Sequence, residues 1–215
     1  ETGTRPIIFS TLVHDAIRER FSRANGLLLD FFSTFLGQLE QELLIRSSHT
    51  VGRAHGMKDQ GSYDKRIEAT NFALNNDDGT RTSEYDQADV ILIGVSRSGK
   101  TPTCLYLALT YGVFAANYPL SEDEFETGRL PRSLESHRDK LFGVSISPER
   151  LRQIRRERRP EGRYASIEQV RYELRGAEAL FRRYQIGWVD TTGFSIEEIA
   201  SKILSRTGIE RRVRP

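Results

Sequence analysis

An α/β fold with a mainly parallel sheet and helices on both faces is what this sequence predicts, on three observations. Apolar runs of strand length alternate along the chain with stretches of helical spacing, the order that parallel pairing through crossover connections requires. At least five of those runs are strand candidates, enough for one sheet covered on both sides. One of them, Val90-Ile91-Leu92-Ile93, feeds straight into Gly94-Val95-Ser96-Arg97-Ser98-Gly99-Lys100-Thr101, a complete G-x-x-x-x-G-K-T string set between a strand and a helix.

From the N-terminus, Arg5 to Leu12 reads as a buried strand entered through Pro6, and Asp15 to Phe21 follows with helical spacing. Gly26 to Phe31 is a second short apolar strand ending in an acid, after which Phe35, Leu36, Leu39, Leu43 and Leu44 recur at helical intervals. Arg46 to Met57 breaks this rhythm with histidines, glycines and arginines and no apolar period, so it reads as a loop with polar work to do. Tyr63 to Leu74 is an amphipathic helix that stops at Asn75-Asn76-Asp77-Asp78-Gly79, a strong turn signal. Past the glycine-rich loop, Thr103 to Tyr111 is helical, and Pro102 fits because the first turn does not need its N–H.

Gly112 to Pro119 and Lys140 to Ile146 read as strands, both short enough to be central in the sheet. The second passes through Ser147-Pro148-Glu149, a cap, into the basic helix Arg150 to Arg159. Its arginines, with Arg163, Tyr164 and Ala165, offer either an anion-facing surface or a solvated helix face. Ser166 to Tyr184 is a long amphipathic helix with Ile167, Val170, Leu174, Ala177, Leu180 and Phe181 on one stripe. Ile186 to Asp190 is a last strand, Asp190 to Phe194 a threonine-rich turn, and Ser195 to Glu198 opens a helix through a Ser/Glu capping pattern. This C-terminal piece resembles the end of P-loop small-molecule kinases, where the turn lies beside the adenine.

The chemistry concentrates in the loop from Gly94 to Thr101. Its glycines permit positive φ and let backbone N–H groups converge on an anion, and the helix that follows adds its partial positive charge. Lys100 would reach terminal phosphate oxygens and Thr101 would offer its hydroxyl to Mg²⁺. Gly94, Val95, Ser96, Arg97, Ser98, Gly99, Lys100 and Thr101 are therefore the expected nucleotide-binding set. Asp77 and Asp78 read either as a helix stop or as a carboxylate pair able to hold Mg²⁺ or accept a proton. The fold class is accordingly P-loop kinase-like, with an N-terminal α/β part over 1–88 and a nucleotide-binding part over 89–215.

Composition sets the surroundings. A hydrophobic fraction of 37% and a charged fraction of 29% describe a soluble globular chain, and no apolar run approaches membrane-spanning length. A net charge of +2 is too small to argue for nucleic acid. The one cysteine, Cys104, cannot form an intramolecular disulfide and reads as core packing in a reducing, cytoplasmic compartment. No Cys/His set has metal-ligand spacing. The chain opens at Glu1 without Met or a signal-like region, so it is expected to start partway into a longer gene product.

Beyond the bare loop, Leu92 to Thr103, together with Arg53 to Met57, Tyr63 to Ile67, Asp77-Asp78-Gly79, Ala115 to Pro119 and Arg163-Tyr164-Ala165, resembles the phosphoenolpyruvate synthase regulatory protein family over essentially the whole chain. That family is related to the pyruvate, phosphate dikinase regulatory protein of plants. Its members also carry a Ser-Asp-Gly-Thr type motif ahead of the first strand read here, which this chain lacks.

The resemblance implies a bifunctional enzyme: a kinase that moves phosphate from ADP to a threonine beside the catalytic histidine of phosphoenolpyruvate synthase, and a phosphorylase that removes it with inorganic phosphate and releases pyrophosphate. ADP, phosphate or pyrophosphate and Mg²⁺ are the implied ligands. The implied partner is phosphoenolpyruvate synthase, with a homo-oligomer as a further option and neither nucleic acid nor membrane. Lys100 and Arg97 would neutralise the transferring group, Asp78 would serve as base or Mg²⁺ partner, and Arg53 and His55 would contact the phosphoryl group or the target. No His-Arg-Asp loop or Asp-Phe-Gly of eukaryotic protein kinases appears. The alternatives are an ATP-dependent small-molecule P-loop kinase, for which the strand-terminal acids would be Asp30 and Asp190, and a non-catalytic ADP-sensing protein.

Overall fold

A computed structural model of the chain describes residues 5–12, 15–47, 60–79 and 81–213. The chain divides into two compact units, residues 1–58 and 59–215. The division falls earlier than the sequence reading set it. The reason is that the helix Gln60–Asn75 packs against the helix that follows the glycine-rich loop, and the turn at Asp77–Gly79 packs against the strand after that helix. Residues 59–88 therefore build the second unit.

In the first unit, β1 (Ile7–Ser10) runs through α1 (Asp15–Ser22) into β2 (Leu27–Asp30), which pairs with it in parallel, Ile7 opposite Leu27 and Ser10 opposite Asp30. Asp30 then caps α2 (Phe31–Leu43), its carboxylate accepting from the Ser33 N–H at 2.9 Å. The strands are where the apolar runs placed them, but the expected burial is not found. Ile7 is 61% and Phe9 67% exposed, while the strand-end residues Ser10 and Asp30 are buried. With a period of two, one face of this two-stranded layer carries Ile7, Phe9, Leu27 and Leu29, and a layer so narrow leaves that face uncovered among the described residues.

The second unit begins with α3 (Gln60–Asn75), which stops at the predicted turn, where Gly79 has φ 69°. β3 (Val90–Gly94) leads to α4 (Lys100–Tyr111) and β4 (Ala115–Pro119). Short helices α5 (Glu122–Thr127) and α6 (Arg132–Glu135), which the sequence reading passed over, precede β5 (Leu141–Ser145). Then come α7 (Pro148–Arg158), α8 (Ile167–Arg183), β6 (Trp188–Asp190) and α9 (Ile196–Thr207). The strands order as β4-β3-β5-β6, all parallel.

β5 is central as expected. β4 is an edge strand and starts later than read, because Gly112 caps α4 in the left-handed conformation at φ 67°. Pro119 at its end suits an edge, where a missing N–H breaks no ladder. The caps read from sequence form: Ser147 accepts from Arg150 N–H with Pro148 in the first turn of α7, and Ser195 and Glu198 make a reciprocal box opening α9.

Every residue of β3 is buried, which is why its sequence is apolar without alternation. Ile91 and Ile93 point into one core with Leu151 of α7 and Val170, Leu174, Ala177, Leu180 and Phe181 of α8. Val90 and Leu92 point into the other, with Cys104 and Leu107 of α4 and Ile199, Ala200 and Ile203 of α9. Helices thus cover both faces. Cys104 is core, as read, and burial pushes its thiol well above the usual range. None of the described helices is long and apolar enough to cross a membrane.

Candidate active site

β3 lies between β4 and β5, so the connection leaving it runs to one side and the later return enters from the other. Its carboxyl end opens on the crevice where open parallel sheets bind ligands. Gly94 ends the strand against β5, and a Cβ there would collide with the Val144 carbonyl oxygen. Arg97 and Gly99, at φ 74° and 98°, then turn the loop back into α4.

What shapes this loop is where its carbonyls go. The Gly94 carbonyl accepts from the Leu120 N–H at 3.0 Å, the Ser96 carbonyl from Arg155 Nη2 at 3.1 Å, and the Ser98 carbonyl from the Thr191 hydroxyl at 3.1 Å. In a planar trans peptide the next N–H points away from its carbonyl. Anchoring these three carbonyls to the scaffold therefore turns the N–H groups of Val95, Arg97 and Gly99 to the opposite side, the alternation that makes an anion-binding concavity.

Arg155 is the least expected of these anchors. It sits one turn after Leu151 on the inward stripe of α7, fully buried, with Nη1 on the Tyr164 carbonyl at 3.1 Å, Nη2 on Glu173 at 2.5 Å and its plane 4.4 Å from the Tyr164 ring centroid. The Tyr164 hydroxyl lies 3.3 Å from Ser96 Oγ. The segment read as a possible anion-facing surface is thus partly a buttress behind the loop.

Below the loop the Lys100 ammonium is buried and donates to the Val95 carbonyl at 2.9 Å. Burial lowers its pKa to about 8, against the opposing pull of Asp78 and Asp77. Across from it the Thr101 hydroxyl donates to Asp77 at 2.9 Å, and the Asn117 amide of β4 donates to the same carboxylate oxygen and lies 3.1 Å from Thr101. Asp78 is exposed in the left-handed conformation at φ 52°, which Asp tolerates. Asp77, Asp78, Lys100 and Thr101 line a cleft of about 590 Å³ with Ser96, Arg97, Gly99 and Pro102, and with Ile154 and Arg158 from α7.

The geometry thus brings together Asp77, Asp78, Lys100, Thr101 and the loop residues read from sequence. Arg53 and His55 lie outside the described residues. Asp30 is committed to capping α2 and Asp190 to the Thr192 N–H at 2.7 Å. Among the described residues no group of three or more His, Cys, Asp or Glu could hold a metal, so a cation here would need the mixed oxygen set around Thr101.

Residues 2–204 match a family model described as Kinase/pyrophosphorylase. The chain belongs to the kinase/pyrophosphorylase family. Similar proteins carry the provisional name phosphoenolpyruvate synthase regulatory protein. One from Ectopseudomonas mendocina is 57% identical over 212 residues, 99% of this chain and 78% of that protein. Others, from Stutzerimonas stutzeri and Marinobacter nauticus, are 55% and 53% identical over 99% and 97% of this chain and 78% and 77% of their own length. Of the site residues of this family member, the sequence reading gave Asn117 no individual role, and took Arg155 only within the basic segment Arg150 to Arg159 and Thr191 only within the threonine-rich turn Asp190 to Phe194, not as anchors of the loop. Arg155 left a signal, an arginine on an otherwise apolar helical stripe; a threonine in a turn leaves none.

Proposed function

We propose that this chain catalyses two opposed phosphoryl transfers in one cleft: ADP-dependent phosphorylation of a threonine on phosphoenolpyruvate synthase, and phosphate-dependent removal of that group with release of pyrophosphate. The reading rests on one observation above all. An anion cradle with a buried lysine faces a carboxylate pair across a single cleft, in a family described as kinase/pyrophosphorylase. In the kinase direction the threonine oxygen attacks the β-phosphorus of ADP, the bond from that phosphorus to the bridging oxygen breaks, AMP leaves, and the threonine proton passes to a base. In the other direction an oxygen of inorganic phosphate attacks the phosphothreonine phosphorus, the bond to the threonine oxygen breaks, and that oxygen takes a proton as pyrophosphate forms. A loop that holds the transferring phosphoryl group serves both directions.

Each residue has a task in this scheme. Lys100 and the loop N–H groups stabilise charge on the transferring group, and Asp78, exposed at the mouth, exchanges the threonine proton. The Thr101 hydroxyl, the Asp77 carboxylate and the buried amide oxygen of Asn117, which has no hydrogen-bond partner among the described residues, are hard oxygen donors that fit Mg²⁺. When bound, that ion would supply neutralisation of phosphate charge. The cytoplasm, where the target enzyme would be met, is the matching compartment.

The test is to mix the full-length protein with phosphoenolpyruvate synthase and labelled ADP or ATP, map any phosphosite by mass spectrometry, then add phosphate and measure pyrophosphate. Transfer from ADP to one threonine and phosphate-dependent reversal are expected. Transfer from ATP to a small molecule, or ADP binding with no transfer, refutes the proposal.

A further inference from the structure

Two anionic groups must meet in this cleft if the proposed phosphorylase reaction runs there: the phosphoryl group on threonine and the phosphate ion that attacks it. One loop cradle accounts for one of them. The second needs its own cation, and three basic side chains line the cleft: Lys100, Arg97 and Arg158. Lys100 is buried beneath the loop and Arg97 projects from the loop itself. Arg158 comes from the facing helix.

Among the described residues Arg158 makes no ion pair, and neither do the exposed Arg152, Arg156 and Arg159, whereas Arg155 pairs with Glu173; of these arginines Arg158 is the one that lines the cleft. Ile154 and Arg158 are four residues apart and line the cleft as one helical stripe. Between them Arg155 ties α7 to the Ser96 carbonyl and to Glu173 of α8, so the rotation of α7 about its axis is fixed relative to the loop. That lock sets which face of α7 meets the loop, and Arg158, itself exposed, lies on that face. A guanidinium suits the role because its planar fork pairs two oxygens of one phosphate.

We infer that Arg158 forms a second phosphate subsite, which holds the attacking phosphate ion in the phosphorylase direction and the non-transferred phosphate of ADP in the kinase direction. The inference deepens the proposed function and depends on it for the order of events, but not for the binding itself. An oxygen of the phosphate held by Arg158 attacks the phosphorus held by the loop, the bond to the threonine oxygen breaks, and the proton of the phosphate passes to that oxygen. Pyrophosphate then spans both subsites.

The experiment uses the full chain with pyrophosphate as the calorimetric probe, beside steady-state kinetics on phosphorylated phosphoenolpyruvate synthase with varied phosphate. Arg158→Gln should weaken pyrophosphate binding and raise KM for phosphate about tenfold, the lower end for a charge-assisted contact at an exposed group. Arg158→Lys, which keeps the charge without the fork, should lose about threefold. It carries the test if the Gln variant does not fold. Arg152→Gln, exposed on the same helix outside the cleft lining, should bind like wild type. Pyrophosphate affinity within twofold of wild type in both Arg158 variants, or an equal loss in Arg152→Gln, overturns the subsite. Wild-type protein that binds pyrophosphate through Arg158 but releases none from the phosphorylated target would refute the proposed reaction and leave the subsite standing.

Discussion

Arg155→Met is the sharpest test of how the loop is held. The substitution keeps an apolar stem in the core and removes the guanidinium from a site where it is fully buried. It leaves the Ser96 and Tyr164 carbonyls without donors and Glu173, whose side chain is 14% exposed, without its cation. Removing one partner of a buried pair costs about 3–5 kcal/mol. Glu173 retains some solvent access and a bond from Gln169 at 2.9 Å, which puts the expectation near the low end, about 3 kcal/mol. For a unit of this size that is a fall in Tm of about 6–12 °C. Differential scanning calorimetry with urea unfolding at pH 7 measures it, and Arg155→Met/Glu173→Met should recover most of the loss because no charge is then stranded. ADP affinity should stay low in the double variant, since Ser96 remains unpinned. A single variant that melts within about one degree of wild type, or a double variant that restores ADP binding, would show that the guanidinium does not shape the cradle.

The remaining predictions concern the cleft. Lys100 has a folded pKa of about 8, below the usual lysine value of 10.5, so between those values the unfolded chain binds the extra proton and stability rises with pH. Lys100→Met should therefore melt higher than wild type at pH 7, by an amount on the order of 3 kcal/mol, with the gain shrinking toward pH 10; a gain that does not change with pH would refute the assignment. An anion beside Lys100 favours its charged form, so ADP binding at about pH 8 should take up a proton, read as a buffer-dependent enthalpy in calorimetry. Asp78→Asn should melt normally and lose phosphotransfer, because Asn also tolerates the left-handed turn, whereas Asp77→Asn should lose Mg²⁺ dependence along with turnover; wild-type rates in either variant would remove its role. Gly94→Ala should abolish ADP binding and destabilise the second unit, since its Cβ meets a backbone carbonyl that cannot swing aside, and an unchanged melting curve would contradict that packing.

Much of this was legible in the chain because two signals are local. Strand and helix periods depend on near neighbours, so β3, α8 and the capped starts of α7 and α9 emerge where the residues place them. The glycine-rich loop is a local string as well. Burial in the first unit was not legible, because Ile7 and Phe9 state a preference for a core without stating whether one is present. Helices α5 and α6 are too short for a period to show. In the site, Asp77 and Asp78 differ by one position in sequence, yet one turns inward to Thr101 and Asn117 while the other faces the mouth. That choice is made by a left-handed residue in a turn, which no periodicity records.

The three carbonyl anchors of the loop have a consequence for how the site comes into being. Arg155 and Thr191 lie 59 and 93 residues beyond the loop positions they hold. A chain still being synthesised, or one opened at its C-terminal strand, carries the whole glycine-rich string and yet lacks the hydroxyl that fixes its second half. If the proposed cradle binds phosphate, that binding would report on completed folding: phosphate ligands would recognise the unit only after β6 has docked, and would draw the equilibrium toward the finished protein.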